Sequence, residues 1–135
     1  MSKISNARSF ALLVRPDGFF KIIDWPAETG DNLKTLRAEI ECRTVDVFDV
    51  TETLSMWVDD EGLYAENPHV NVPASLILFR YCTPPQRYVG NAVFTGGADP
   101  HGATLGLTED QVTELIGHML TILAMAGADI NALAE

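Results

Sequence analysis

The sequence predicts one α+β domain over residues 1–135, with a mainly antiparallel sheet, helices packed on one face of it, and a long amphipathic C-terminal helix. Three observations lead to this fold class. A chain of 135 residues suits one domain of ordinary size. Segments with strand and helix patterns follow one another in the order ββα–ββα–βα, which favours helices laid on an antiparallel sheet. Near the C-terminus, a capping motif precedes a long run of apolar residues at helical spacing.

The first two strands should form a hairpin. Residues 9–15 and 19–24 are apolar and strand-like, and Pro16-Asp17-Gly18 between them has the composition of a tight turn. Trp25-Pro26 ends the second strand, because proline cannot donate a hydrogen bond to a ladder.

A helix and a second pair of strands should follow. Apolar residues recur at helical spacing over residues 33–40, after Asp31 as the expected N-cap. Residues 44–50 alternate apolar and polar side chains, which is typical of a half-buried strand. Residues 54–58 form another apolar strand, which ends in a polar turn over residues 59–62.

The third unit has a less regular pattern. Pro73 fits the first turn of a short helix over residues 74–81, although this apolar tract also fits a strand. Residues 88–95 have the composition of a strand, and the glycine-rich residues 96–102 have that of a loop.

The last helix has the clearest pattern of all. Thr108 and Gln111 have the spacing of a capping box, and Gly127 is the expected C-cap. An apolar stripe follows the box, formed by Val112, Leu115, Ile116, Met119, Leu120 and Leu123. Because residues 116–128 carry no charge, this helix is apolar on more than one face. We therefore expect a homo-oligomer, with a dimer as the first choice, joined through the C-terminal helix.

The charge of the chain excludes some classes of partner. Nineteen acidic residues against nine basic ones give a net charge of −10, which opposes direct binding to nucleic acid or to anionic lipid. Residues 44–135 hold thirteen of the acids and only two of the bases. Such an acidic surface either keeps the protein soluble or meets a basic protein.

The cysteines, the histidines and the apolar runs do not indicate a disulfide-bonded, metal-binding, membrane or secreted protein. Cys42 and Cys82 are far apart and the histidines are scattered, so we expect free thiols, no metal and no cofactor. No apolar run reaches the length of about 18 residues that a membrane span needs. Residues 10–14 are too short for the core of a secretory signal, so we expect a cytoplasmic protein without membrane contact.

Asp59, Asp60 and Glu61 form the densest acidic cluster and lie in the predicted turn. Carboxylates are the ligands that Mg²⁺ and Ca²⁺ prefer, yet these acids do not alternate and no closing glutamate completes a calcium loop. Aspartate is also a common turn residue. We therefore interpret the cluster as a turn, and keep a metal site and a contact with a partner as the alternatives.

Asp99 and His101, in the glycine-rich loop, could form an acid–base pair only if another group supplied a nucleophile. No Gly-Lys-Ser/Thr follows the glycines, and no helix opens at them, so neither nucleotide-binding pattern fits. The chain also lacks a G-x-S-x-G elbow. We expect no enzyme, and we keep this loop as a candidate binding surface because loops often carry function.

Three further residues are candidates for binding. Asn91, which follows Gly90, could fix the start of a strand through hydrogen bonds to the backbone. Arg80 and Arg87 are the only bases after residue 43 and lie near Tyr88, so an anionic ligand would find its cationic groups there. Pairing with local acids is the alternative for both arginines.

Several short motifs, in a fixed order, resemble a known family. They are V-D-D-E-G-L at residues 58–63, the Asn67-Pro68 break followed by Asn71, G-N-A-V-x-x-G at residues 90–96, and L-T-E-D-Q-V at residues 107–112. The sequence is similar here to a family of small proteins of phages, prophages, plasmids and actinobacterial genomes that is catalogued as a domain of unknown function. The similarity covers roughly residues 45–115. It implies an accessory protein of a mobile element, and it implies no catalytic residue.

Together these observations predict a binding protein. Its expected target is a host protein, in particular a defence or regulatory component. The alternative is a protein that binds or sequesters a small, nucleotide-like signal, for which Arg80, Arg87 and Tyr88 would line the pocket.

Overall fold

The computed structural model describes residues 8–62 and 68–134, with side chains as far as residue 126. The elements are β1 (Phe10–Val14), β2 (Phe20–Asp24), α1 (Asn32–Ile40), β3 (Val45–Thr51), β4 (Leu54–Asp59), α2 (Val72–Leu78), β5 (Ala92–Thr95) and α3 (Glu109–Ala134). This is the predicted order ββα–ββα–βα, and the α+β fold class is confirmed. Leu63 and Asn67, which belong to the motifs of the resemblance, lie outside the described residues.

The five strands form one antiparallel sheet in the order β2-β1-β5-β4-β3. The predicted hairpin β1–β2 and a second hairpin, β3–β4, are its outer parts, and β5 pairs with β1 on one side and β4 on the other. In the turn of the first hairpin Gly18 has a φ of +94°, a conformation that glycine adopts at little cost. The last strand in the chain therefore joins two hairpins that are local in sequence.

Helices cover both faces of this sheet. In β1, Leu12 and Val14 point into one core layer, whereas Ala11 and Leu13 point into the other. α2 and α3 pack on the first layer and α1 packs on the second. The expectation that the helices pack on one face is therefore wrong for α1. The unbroken apolar run over residues 10–14 is typical of a strand buried on both sides.

The tract that fitted both a helix and a strand is a helix, α2. Its N-cap is Asn71, whose Oδ1 accepts a hydrogen bond from the backbone N–H of Ala74 at 3.0 Å. Pro73 lies in the first turn, where a missing N–H leaves no bond unmade. The helix begins and ends slightly earlier than the predicted 74–81.

β5 is shorter than the predicted strand over residues 88–95. Gly90 has a φ of +77°, which interrupts an extended chain. The Tyr88 carbonyl accepts a hydrogen bond from Asn71 N–H at 2.8 Å, and Gly90 N–H donates to the His69 carbonyl at 2.8 Å. Residues 88–90 are thus bound to the segment that precedes α2, and only residues 92–95 join the sheet.

The capping box of α3 is confirmed. Thr108 N–H donates to Gln111 Oε1 at 2.9 Å, and Gln111 N–H donates to Thr108 Oγ1 at 3.1 Å. The expectation of a C-cap at Gly127 is wrong, because the helix continues to Ala134. Alanine, the best helix former, recurs throughout this last part and offsets the cost of one glycine. At α1, Asp31 occupies the N-cap position but its side chain makes no capping bond.

Candidate functional site

The acidic residues 59–61 form a compact turn at the end of β4. Asp59 Oδ1 accepts a hydrogen bond from Glu61 N–H at 2.9 Å, and Asp60 N–H donates to the Thr44 carbonyl at 3.1 Å. Glu61 pairs with the exposed Arg43 at 3.0 Å. These contacts favour the turn. Over residues 8–62 and 68–126, no three His, Cys, Asp or Glu side chains converge as metal ligands.

The glycine-rich loop is a packed structure. Asp99 Oδ1 accepts hydrogen bonds from the backbone N–H groups of His101 at 2.8 Å and Ala103 at 2.9 Å. Asp99 therefore binds the backbone of His101, and its carboxylate closes the loop. A Cβ atom on Gly97 would lie only 2.2 Å from the Glu52 carbonyl oxygen, so glycine is required for close packing.

The structure separates the two candidate arginines. Arg87 and Tyr88 line a hollow of about 40 Å³ together with Asp46, Asp59 and Asp60. Burial, and then the nearby Asp46 carboxylate, raise the pKa of the Tyr88 hydroxyl. This hollow is too small and too acidic to suit a nucleotide.

Arg80 belongs to a polar cluster between α2 and α3. The Tyr81 hydroxyl donates a hydrogen bond to Glu114 Oε2 and lies 3.2 Å from His118 Nε2. Burial, and then this bond to Glu114, raise the pKa of Tyr81. Burial, and then the Arg80 charge, lower the pKa of His118, although Glu114 opposes this. The cluster binds the end of α2 to the middle of α3.

Among the described residues, a cleft of about 680 Å³ lies between the first hairpin turn and the segments that precede α2 and β5, and we call it the turn cleft. It is lined by Arg15, Pro16, Asp17, Gly62, Pro68, His69, Val70, Val89, Gly90 and Asn91. Asn91 is the one candidate from the sequence that lies here. Its Nδ2 donates to Glu41 Oε2 at 3.3 Å and, more weakly, to the Glu39 carbonyl at 3.5 Å.

Asn71 does not line this cleft but is bonded to Gly90, which does, and it is completely buried. Its Nδ2 donates to the carbonyl oxygens of Val14 at 2.9 Å and Gly90 at 2.8 Å, while its Oδ1 caps α2. One side chain thereby joins the end of β1, the approach to β5 and the start of α2. The cleft is consequently formed in the folded protein before anything binds to it.

Sequence reasoning missed Arg15 and His69 as site residues. Neither belongs to a motif, and the chain between residues 15 and 69 gives no sign that they meet. Asn71 carried a usable signal, since an asparagine two residues before a proline is typical of a helix N-terminus.

An apolar stripe is exposed on α2. Val72 and Leu76 in the helix and Phe79 at its C-cap are 53%, 42% and 63% exposed. Their spacing of four and three residues places them on one face, away from the buried Ala74, Ile77 and Leu78. We call these three residues the α2 stripe.

Exposed apolar side chains also occur on α3. Leu120 and Met125 are 57% and 64% exposed, whereas Leu115 and Met119 are buried. No helix in the described part of the chain is long and apolar enough to cross a membrane.

One comparison with known proteins gives a match. Residues 8–120 match a family model described as "Domain of unknown function (DUF3846)". No curated protein and no solved structure matches the chain significantly. The family match includes the first hairpin, all five strands and the first half of α3, and residues 121–135 lie beyond it. The resemblance to a domain of unknown function is confirmed, and the chain belongs to the DUF3846 family.

Proposed function

We propose that this protein acts by binding another protein through the α2 stripe, and that it is not an enzyme. The observation that carries the proposal is the exposure of Val72, Leu76 and Phe79 on one helical face. Large apolar side chains on successive turns of a surface helix are a common means of docking into an apolar groove. Neither the acidic turn nor the glycine-rich loop offers a comparable surface.

The expected partner has an apolar groove and a net positive charge. This chain has a net charge of −10, although residues 67–98, which include α2, hold no acid and two bases. The charge of the whole chain would therefore attract a basic partner at long range, and the apolar contact at the α2 stripe would supply most of the affinity.

The biological setting proposed is that of a mobile-element accessory protein in the cytoplasm of a host cell. The partner would then be a host protein, such as a component of defence or regulation. The order of the short motifs supports this part of the proposal, since it resembles small proteins of phages and plasmids. The alternative of a small-ligand site at Arg80, Arg87 and Tyr88 is less favoured, because Arg80 lies apart from the hollow that the other two residues line.

The test begins with expression of the native chain and the Phe79→Ser variant in a host cell. A host protein that co-purifies in stoichiometric amount with the native chain is identified and made separately. Its Kd for both forms is then measured by calorimetry with pure proteins. We expect binding to the native chain to be roughly tenfold or more tighter, because central aromatic anchors dominate interface energies.

Leu105→Ser is the matched control, because Leu105 is similarly exposed but lies in a loop outside α2. Its Kd should equal that of the native protein. Equal Kd values for native, Phe79→Ser and Leu76→Ser would contradict docking through the α2 stripe. The absence of any stoichiometric host partner would contradict the proposed function itself.

A further inference from the structure

We propose that the turn cleft binds a small organic molecule that carries a phosphate or carboxylate group on a largely apolar body. The inference does not depend on the α2 stripe. It rests on the cleft of about 680 Å³ and on the chemistry of the side chains around it. A volume of this order is typical of sites for small organic ligands.

Arg15 is the group that selects an anion. Its guanidinium carbon lies 4.6 Å from the centre of the Phe19 ring, which holds the side chain over the hairpin turn. Its Nε is buried and has no hydrogen-bond partner among the described residues. Within the same residues Arg15 also forms no ion pair. Arg15 lines the cleft, so a guanidinium without an anionic partner among these residues is available to pair with an oxyanion bound there.

The charged side chains of the lining are one base and one acid among the described residues, Arg15 and Asp17. Asp17 Oδ1 accepts the backbone N–H of Phe19 at 2.9 Å, a bond that shapes the turn. Glu41, which is not part of the lining, accepts from Asn91, which is. The lining therefore does not share the acidic excess of the whole chain, whose net charge is −10.

The remaining walls suit an apolar body. Pro16 and Pro68 flank the cleft, and Val70 and Val89 form a β-bridge across its base. Gly62 packs so closely on this wall that an added Cβ would lie 2.8 Å from Val89 Cγ2. Apolar walls with a few fixed polar groups are the usual composition of a ligand site, in which the polar groups set orientation.

The test is an NMR titration of the native protein with phenyl phosphate, inorganic phosphate and benzyl alcohol. Phenyl phosphate carries both the anion and the apolar body, and the other two probes carry one each. We expect phenyl phosphate to bind most tightly and to shift the amide resonances of Arg15 and of residues 17–18, 69–70 and 89–91. Benzyl alcohol binding as tightly as phenyl phosphate would overturn the choice of an anion. No shifts, or shifts confined to other surfaces, would overturn the site.

Two variants test the role of Arg15. Arg15→Gln removes the charge, and Asn91→Asp adds a carboxylate to the lining of the cleft without changing side-chain size. Each should weaken phenyl phosphate binding by roughly tenfold or more, because a charge-assisted hydrogen bond is lost or an anion is repelled. Arg80→Gln, away from the cleft, should leave the Kd unchanged. If Arg15→Gln fails to fold, Asn91→Asp still decides, since an unchanged Kd in that variant would overturn the proposal.

Discussion

Asn71 is the residue that holds the most separate parts of the molecule together. Its side chain makes hydrogen bonds to Val14, Gly90 and Ala74, which belong to three different segments. Buried hydrogen bonds of this kind cost little when complete and much when one partner is removed. The turn cleft and the start of α2 therefore depend on one amide.

We expect Asn71→Ala to lower the free energy of unfolding by about 2–4 kcal/mol, because it removes an N-cap and the two hydrogen bonds that the amide donates, to the Val14 carbonyl in a buried setting and to the Gly90 carbonyl in a partly buried one. Urea denaturation measures this loss. Asn91→Ala is the control, with an expected cost below about 1 kcal/mol, because the Asn91 bonds are long and partly exposed. Equal losses in the two variants would mean that Asn71 has no special structural role.

His118 should make stability depend on pH. Burial and Arg80 lower its pKa below the ordinary value of 6.5, despite the neighbouring Glu114 carboxylate. Below about pH 6.5, His118 binds more protons in the unfolded chain than in the folded one. The stability that is present above about pH 6.5 is therefore lost as the pH falls through the folded-state pKa. Urea midpoints across this range measure the loss.

In the His118→Gln variant we expect a smaller loss of stability as the pH falls. Glutamine does not titrate, and its side chain still reaches the Tyr81 hydroxyl. The matched control is His101→Gln on the exposed loop, which should lose stability with falling pH as the native protein does. A native-like pH profile in His118→Gln would show that other groups cause the dependence.

Among the elements, α3 was the most predictable. Its capping box and its apolar stripe both have fixed spacing, and each depends on local geometry alone. Its end was not predictable in the same way, since Gly127 permits a C-cap but does not impose one. β5 was misjudged in length because the bonds from residues 88–90 go to residues 69–71, which are far away in sequence.

At the level of this element, we expect Leu115→Ala to destabilise the protein by about 2–5 kcal/mol, because Leu115 is buried between α3 and the sheet. Leu120→Ala, five residues further along the same helix, should cost about 0.5 kcal/mol or less because its side chain is largely exposed. Thermal or urea denaturation of both variants makes the comparison. Similar losses at the two positions would contradict the orientation of α3.

For the whole molecule, the exposed apolar residues of α3 favour self-association. Leu120 and Met125 are exposed on α3, and Ile22, opposite Leu12 in the hairpin, is exposed on the sheet face that α3 covers. A second copy would remove these side chains from water. The α2 stripe belongs to a different helix, so the two predicted contacts can be tested with separate variants.

We expect light scattering at tens of micromolar to give a mass of about twice 14.8 kDa for the native protein. Leu120→Glu should give the mass of one chain, because a charge at the centre of an apolar contact opposes association. Phe79→Glu, on the α2 stripe, is the control and should remain dimeric. A native mass near 14.8 kDa would contradict the prediction of a dimer.

The sequence by itself determined the fold class, the order of the elements, the first hairpin turn and the start of α3. These depend on residue spacing and on turn and cap chemistry, which act over a few neighbouring residues. The charge distribution also follows from composition alone, and the classes of partner that it predicts remain predictions.

Only the tertiary structure decided that α1 covers the second face of the sheet and that β5 joins the two hairpins. It also brought Arg15, His69 and Asn91 together around one cleft, although up to 76 residues separate them. The physical reason is that such contacts follow from strand pairing and buried hydrogen bonds between distant segments, which leave no periodic trace along the chain.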